Sequence, residues 1–193
     1  KQYIVDAFTD KVFSGNPAAV CVMNEWPNDR TMQNIAIENN LSETAFAVKD
    51  GEAYRLRWFT PGGEVELCGH ATLATAYVIS RFYEPEQNIL QFDTLSGRLT
   101  VEKYADLFTM DFPSFTLNPI PITEQIVCAL GAKPKEAYIG ADIVCVFENE
   151  EQVRSVQPNQ ELIRQMDGVC FHITAPGREV DCVTRSFAPK CGV

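Results

Sequence analysis

A thiol, a glycine and an imidazole stand in succession at Cys68-Gly69-His70, inside the stretch Phe59-Thr60-Pro61-Gly62-Gly63-Glu64-Val65-Glu66-Leu67-Cys68-Gly69-His70-Ala71-Thr72. Thiol and imidazole are side chains whose ionisation a protein readily tunes toward neutral pH, so the spacing suits proton movement. The pattern predicts an extended segment that gives way to a helix over 70–83. Ala71, Leu73, Ala74, Ala76, Tyr77, Val78 and Ile79 make that helix apolar nearly all round. A helix without a polar face is buried. Its first turn then brings unpaired N–H groups and a positive dipole end to the inner end of a cleft, a ready place for a carboxylate or phosphate. The same field favours thiolate at Cys68 and a neutral imidazole at His70. Gly69 carries no side chain that would keep a ligand from those N–H groups.

The remaining candidates have two readings each. Glu43 is either a solvated glutamate at the start of a strand or a general acid/base whose pKa a dry cleft raises. His70 is either a hydrogen-bonded core histidine or a substrate contact. Cys68 is either a proton-transfer base or a buried structural thiol. Asn16, in Gly15-Asn16-Pro17, is a turn residue or an amide at the rim of a site. Ser96-Gly97 reads as a hairpin turn, and His172, mid-strand, as structural.

The elements that position these residues follow from periodicity and turn chemistry. Strands are expected over 3–8 and 18–23, and a helix capped by Asn28 or Asp29 runs to about Asn39, with Met32, Ile35 and Ala36 on one face. A hairpin over 44–49 and 53–59 turns at Asp50-Gly51. A meander follows over 89–93, 99–103 and 107–112. Pro113, Pro119 and Pro121 mark a stiff linker and a domain boundary. Beyond it come a helix over 123–130 stopped by Gly131, strands over 137–140 and 143–147, and a short helix over 160–166. A second hairpin spans 169–174 and 180–187, turning at Ala175-Pro176-Gly177. Mixed hairpins and helices without βαβ regularity make an α+β fold, with domains 1–114 and 115–193.

The phrase Arg57-Trp58-Phe59-Thr60-Pro61 has an echo in Arg185-Ser186-Phe187-Ala188-Pro189. Each follows a hairpin, which predicts two halves of similar build. In that register the counterpart of Cys68 falls at position 196, past Val193.

Four stretches in order make the chain resemble the phenazine-biosynthesis PhzF-like proteins, fold relatives of diaminopimelate epimerase and proline racemase. They are Phe13-Ser14-Gly15-Asn16-Pro17-Ala18-Ala19-Val20, Leu41-Ser42-Glu43-Thr44-Ala45-Phe46, the stretch from Phe59 to Thr72, and Arg185 to Val193. The resemblance implies two similar halves, each a curled mixed sheet around a buried helix, with the second half incomplete. In the family the last stretch runs on into a Glu-Asp-Pro-x-Thr-Gly-Ser-Ala phrase that contributes to the second half-site. It implies Glu43 as the catalytic acid/base, His70 beside the substrate, and Cys68 at the position of one of diaminopimelate epimerase's two thiol bases. Asn16, Gly69, Ala71 and Thr72 are the substrate-binding set it suggests.

The 193 residues carry a net charge of −10 and are 46% hydrophobic. That balance argues against a nucleic-acid or anionic-membrane surface. No apolar run approaches the ~20 residues of a membrane span, and Lys1 to Val5 reads as a strand rather than a secretory leader. Seven cysteines without C-x-x-C spacing give no support to a closed zinc site and read as small buried hydrophobes in a reducing, cytoplasmic setting. No nucleotide-binding glycine motif is present, so no cofactor is expected. The expected function is a cofactor-independent isomerase or epimerase acting on a small carboxylate-bearing metabolite, in a homodimer if it follows the family. The alternative is a non-catalytic binding or interaction protein on the same fold, which a chain ending at Val193 favours.

Overall fold

The computed structural model describes residues 1–191. The chain divides into two compact units, Lys1–Pro113 and a second from Ser114 onward. In the first unit β1 (Gln2–Ala7) pairs antiparallel with β2 (Asn16–Met23). Gly15 makes the entry to β2 possible. Its φ is +67°, and a Cβ there would lie 2.1 Å from the carbonyl oxygen of Ala7. The helix α1 (Asp29–Asn39) follows, and its ends are those the sequence predicts. Asn28 accepts from the Thr31 amide at 2.9 Å, and Asn40 adopts the left-handed conformation, its N–H bonded to the Ala36 carbonyl.

The chain then crosses to β3 (Glu43–Asp50), parallel to β2, and turns back as β4 (Ala53–Thr60). One edge of β4 is divided. Its final residues hold the short β5 (Gly63–Val65), and Tyr54 and Arg55 pair with β6 (Ile89–Thr94). β7 (Gly97–Tyr104) and β8 (Leu107–Asp111) complete a curled eight-stranded sheet. The helix α2 (Gly69–Phe82) packs on β1, β2 and β3. Ala71, Ala74, Ala76, Val78 and Ile79 join Val20, Leu56, Trp58 and Phe92 in the main core. The opposite face of β2–β4 is closed by α1, through Met32, Ala36, Phe46 and Phe59.

The second unit repeats this order. β10 (Glu136–Ile139) pairs antiparallel with β11 (Ile143–Val146), β11 parallel with β12 (Phe171–Pro176), and β12 antiparallel with β13 (Cys182–Phe187). Helices occupy the crossover in both units: α1 in the first, and α4 (Glu150–Ser155) with α5 (Gln160–Arg164) in the second. The recurring phrase behaves alike in both. The Arg57 guanidinium lies 5.2 Å from the Phe59 ring centroid, and that of Arg185 lies 5.1 Å from Phe187. α3 (Glu124–Leu130) starts on the Thr123 hydroxyl and stops at Gly131. A 3-10 turn spans Pro189–Cys191.

Three expectations are corrected and one element is added. α2 is not buried all round, because Tyr77 is 46% exposed and edges against Phe108, and the helix emerges at Phe82. The proline-rich linker holds a strand, β9 (Asn118–Pro119), at the sheet edge where a missing N–H is tolerated. The second hairpin turns later than expected, since Pro176 is still paired with Cys182. The helix α4 went unforeseen; Asn149 caps it, and Val153 is its buried residue. The last two residues of the Arg185 to Val193 stretch lie outside the described residues. Among the described residues no helix is long and apolar enough to cross a membrane.

Phe46 is fully buried between α1 and β4 and meets Phe59 edge-on at 5.6 Å. Phe46→Ala is expected to lower unfolding free energy by about 3–5 kcal/mol, read as a fall in the urea midpoint. A midpoint that does not move would contradict this packing account.

Candidate active site

Three segment starts converge in the first unit. Parallel pairing sets Ala18, near the start of β2, beside Glu43, the first residue of β3. α2 begins against the same strands, and the carbonyl of Pro17 reaches the His70 imidazole. The approach to α2 is braced along its length. Gln33 donates to the carbonyls of Thr60 and Pro61 at 2.9 and 3.1 Å. The Thr60 hydroxyl accepts from the amides of Gly62 and Gly63. Ser96, in the β6–β7 turn, donates to the Glu66 carbonyl at 2.9 Å, so that turn holds the loop rather than standing apart from it. Arg57 ties Glu64 and Asp29 together on the outer side.

The structure brings Glu43, Cys68 and His70 into one cluster. Glu43 Oε2 lies 3.3 Å from His70 Nε2, and the side chains are 16% and 10% exposed. Neither atom has a hydrogen-bond partner among the described residues. Two buried polar atoms that face each other unsatisfied are rare and point to a missing proton partner or ligand. Burial pushes the Glu43 carboxyl above its ordinary value, opposed by a hydrogen bond from Cys68. Burial pushes His70 below its ordinary value, opposed by the Pro17 carbonyl. A carboxyl raised and an imidazole lowered are suited to holding one proton between them rather than standing as a fixed ion pair.

Of the two readings of Cys68, burial favours the thiol. Its thiol is pushed well above the ordinary range, first by burial and then by the Glu43 charge. The amides of Ala71 and His70 pull the other way, and they lose. Desolvation therefore outweighs the helix field at this site, and the sulfur is a thiol rather than a thiolate. It sits 3.5 Å from His70 Nδ1 and donates to Glu43, which makes it a partner of the pair. Carboxylate, thiol and imidazole are also zinc-ligand types, and their ligand atoms lie within 4.8 Å of one another.

The other expected site residues sort differently. Gly69 needs no special backbone angle, and a Cβ there would meet only Phe112, at 3.9 Å. Neither packing nor strain demands glycine, so what it provides is open space in front of the helix N-terminus. Cys68 is the N-cap; the amides of His70 and Ala71 are directed toward its sulfur without closing a geometric capping bond, so they stay weakly held. Ala71 is fully buried and offers its amide alone. The Thr72 hydroxyl is not available to a substrate: it is buried and donates to the Cys68 carbonyl at 2.5 Å. Asn16 opens β2 next to Pro17 and so stands by the cluster. Trp58 was overlooked. Its buried indole N–H has no partner among the described residues, and on β4 it pairs with Ala45; only an orphaned polar atom in the folded core reveals it.

Residues 5–193 match the family model described as phenazine biosynthesis-like protein. A Pseudomonas aeruginosa protein named an uncharacterized isomerase is 42% identical over 190 residues, 98% of this chain and 73% of its own length. The crystal structure of a PhzF-family phenazine biosynthesis protein from Enterococcus faecalis is 49% identical. It superposes with a TM-score of 0.91 over 100% of this chain and 74% of that one. A structure described as a predicted epimerase from Pseudomonas aeruginosa, 16% identical with a TM-score of 0.68, covers 89% of this chain and 68% of its own and shares the fold. The α+β, epimerase-like architecture is thus the one this chain adopts.

Two outcomes follow. The folded-state pKa of Glu43 lies above its unfolded value, so below the ordinary glutamate range both states hold the proton and the carboxyl adds no pH-dependent term. As pH rises through the unfolded and then the folded value, ionisation is resisted by burial and stability falls. Glu43→Gln is therefore expected to be more stable than the parent at neutral pH, with the difference vanishing below about pH 4; urea midpoints across pH check this, and a less stable variant at neutral pH contradicts it. Alkylation by iodoacetamide near neutral pH, followed by peptide mass spectrometry, is expected to label the exposed Cys128 and Cys182 well before Cys68. Rapid labelling of Cys68 would mean a thiolate.

Proposed function

The chain belongs to the phenazine biosynthesis-like family, and we propose that it is a cofactor-independent isomerase that moves a proton on a small carboxylate-bearing metabolite. The observation that carries this reading is the facing pair Glu43 Oε2 and His70 Nε2, 3.3 Å apart, buried and unsatisfied. Glu43 takes a proton from a carbon of the substrate and returns it to another carbon. Its raised pKa brings the acid and base forms closer in energy, as a group that must both accept and release a proton requires. His70, neutral, directs the carboxyl and the substrate by one hydrogen bond. The weakly held amides at the start of α2, reached across Gly69, receive the substrate carboxylate. Asn16 contributes its amide at the rim. Cys68 hydrogen-bonds Glu43 and sets its orientation, a positioning role that its protonated state supports. One acid/base on one face suits an isomerisation; inversion at a single carbon needs a second base on the opposite face. Cys128 and Cys182 stand exposed as free thiols, which fits a reducing and so cytoplasmic location.

Glu43→Gln keeps the shape and removes the base. Turnover of the substrate is expected to fall by about 10²–10⁴ or more while far-ultraviolet circular dichroism stays unchanged. Isomerase turnover that survives this substitution in a folded protein would overturn the assignment.

A further inference from the structure

A second cluster of chemically competent side chains lies in the other unit, where the sequence reading saw only a structural histidine. Asp142 precedes β11, Cys170 precedes β12, and His172 lies on β12, paired across to Ser186 on β13. One ligand atom from each of Asp142, Cys170 and His172 falls within 4.8 Å of the others. We propose that these three residues form a binding site for a divalent cation of the zinc class.

The first support is the ligand set. Thiolate, imidazole and carboxylate together favour zinc over calcium or magnesium, which take all-oxygen sites. His172 Nε2 is 3.4 Å from Asp142 Oδ2, close to the roughly 3.3 Å edge that bonds of about 2 Å make in a tetrahedral zinc site. The Cys170 ligand atom lies within 4.8 Å of both.

The second is the surrounding shell. His172 Nδ1 is 2.8 Å from the Ser186 hydroxyl, which fixes the ring and leaves Nε2 facing Asp142. Metal-bound histidines characteristically have such an outer partner. Asp142 Oδ1 accepts from the amides of Val169 and Cys170, both at 2.8 Å, which holds the carboxylate in place and presents Oδ2 to the cluster. Gly168 permits this. Its φ is +83°, and a Cβ would lie 2.9 Å from Asp142 Oδ1. Lys190 donates to the carbonyls of Met166 and Gly168, securing the same loop.

The third is the repeat. Thr44 pairs with Phe59 and Phe171 with Phe187, so Cys170 holds the place of Glu43, while Asp142 and His172 hold those of Ala18 and Ala45. The repeated topology asks only for alanines at two of these positions, as Ala18 and Ala45 are fully buried core residues in the first unit. Polar ligands there need another explanation. A Ser186–His172–Asp142 relay is a weaker one, because 3.4 Å is long for a charge-assisted bond. His172 and Asp142 are 29% and 24% exposed on their side chains, which leaves an entry path and a fourth position for water. On binding, the Cys170 thiol releases its proton to solvent and His172 binds as neutral imidazole.

The test is titration of metal-stripped protein with cobalt(II) chloride, read by absorption. One equivalent is expected to give tetrahedral visible bands and a near-ultraviolet sulfur-to-cobalt charge-transfer band. Cys170→Ser is expected to remove the charge-transfer band, His172→Ala to abolish stoichiometric binding, and Cys68→Ala to change neither. Zinc chloride is expected to raise the thermal midpoint of the parent but not of folded Cys170→Ser. Absence of stoichiometric cobalt binding, a band that survives Cys170→Ser, or a band lost in Cys68→Ala would each overturn the proposal. The readout is independent of turnover, so it stands or falls separately from the Glu43 chemistry.

Discussion

Keeping one carboxyl and one imidazole dry and face to face is the constraint around which the first unit is organised. In water Glu43 and His70 would each be solvated and ordinary. Within the fold both lose that solvation, and their pKa values move toward each other from opposite sides. This arrangement costs stability, because burial resists ionisation of the carboxyl and so works against folding at neutral pH. Elsewhere the fold offsets it with full burial of Trp58, Phe46, Phe92 and the alanine-rich face of α2. A site that weakens the fold while sharpening a proton-transfer group is what a functional constraint, rather than a structural one, would keep.

The scaffold explains how residues 27 positions apart come to face each other at 3.3 Å. β2 and β3 run parallel, which forces a crossover and places α1 on one face of the sheet. α2 occupies the other face, and its first turn meets the beginnings of both strands. Small residues make this possible. Ala18, Ala45, Ala71 and Ala74 are completely buried and let helix and strands approach closely. Thr72 and Thr75 direct their hydroxyls back to the carbonyls of Cys68 and Ala71, so a buried helix leaves no hydroxyl unsatisfied there. The second unit reuses the same strand order with different residues at the corresponding strand starts, showing how one topology can carry two kinds of polar cluster.

Much of this was legible in the sequence wherever the signal is local. Asn28 and Asn40 mark both ends of α1, Asp50-Gly51 marks the β3–β4 turn, and Gly131 stops α3, each through backbone chemistry that acts within a few residues. The Arg-x-Phe echo pointed to a repeat that the strand pairing now displays. What escaped depends on distance or on competition. The meeting of Glu43 with His70 requires a parallel pairing across a helix, which periodicity does not encode; the family motifs, not the spacing, pointed to it. At Cys68 the helix field that favours thiolate is visible in sequence, whereas the extent of the burial that opposes it is not. Thr72 was read as a substrate ligand because its place in the motif is visible and its bond to Cys68 is not. β9 hid behind Pro119, which ordinarily argues against a strand, and α4 behind its single buried residue, Val153.

The central claim is that this site moves a proton between carbon and Glu43. The direct measurement is incorporation of solvent deuterium, followed by proton NMR, into a panel of small carboxylic acids incubated with the protein in heavy water. The account predicts exchange at a carbon of at least one acid, at a rate that follows protein concentration and disappears with Glu43→Gln. Tight binding of an acid with no exchange at any carbon, or exchange that persists without Glu43, would contradict it.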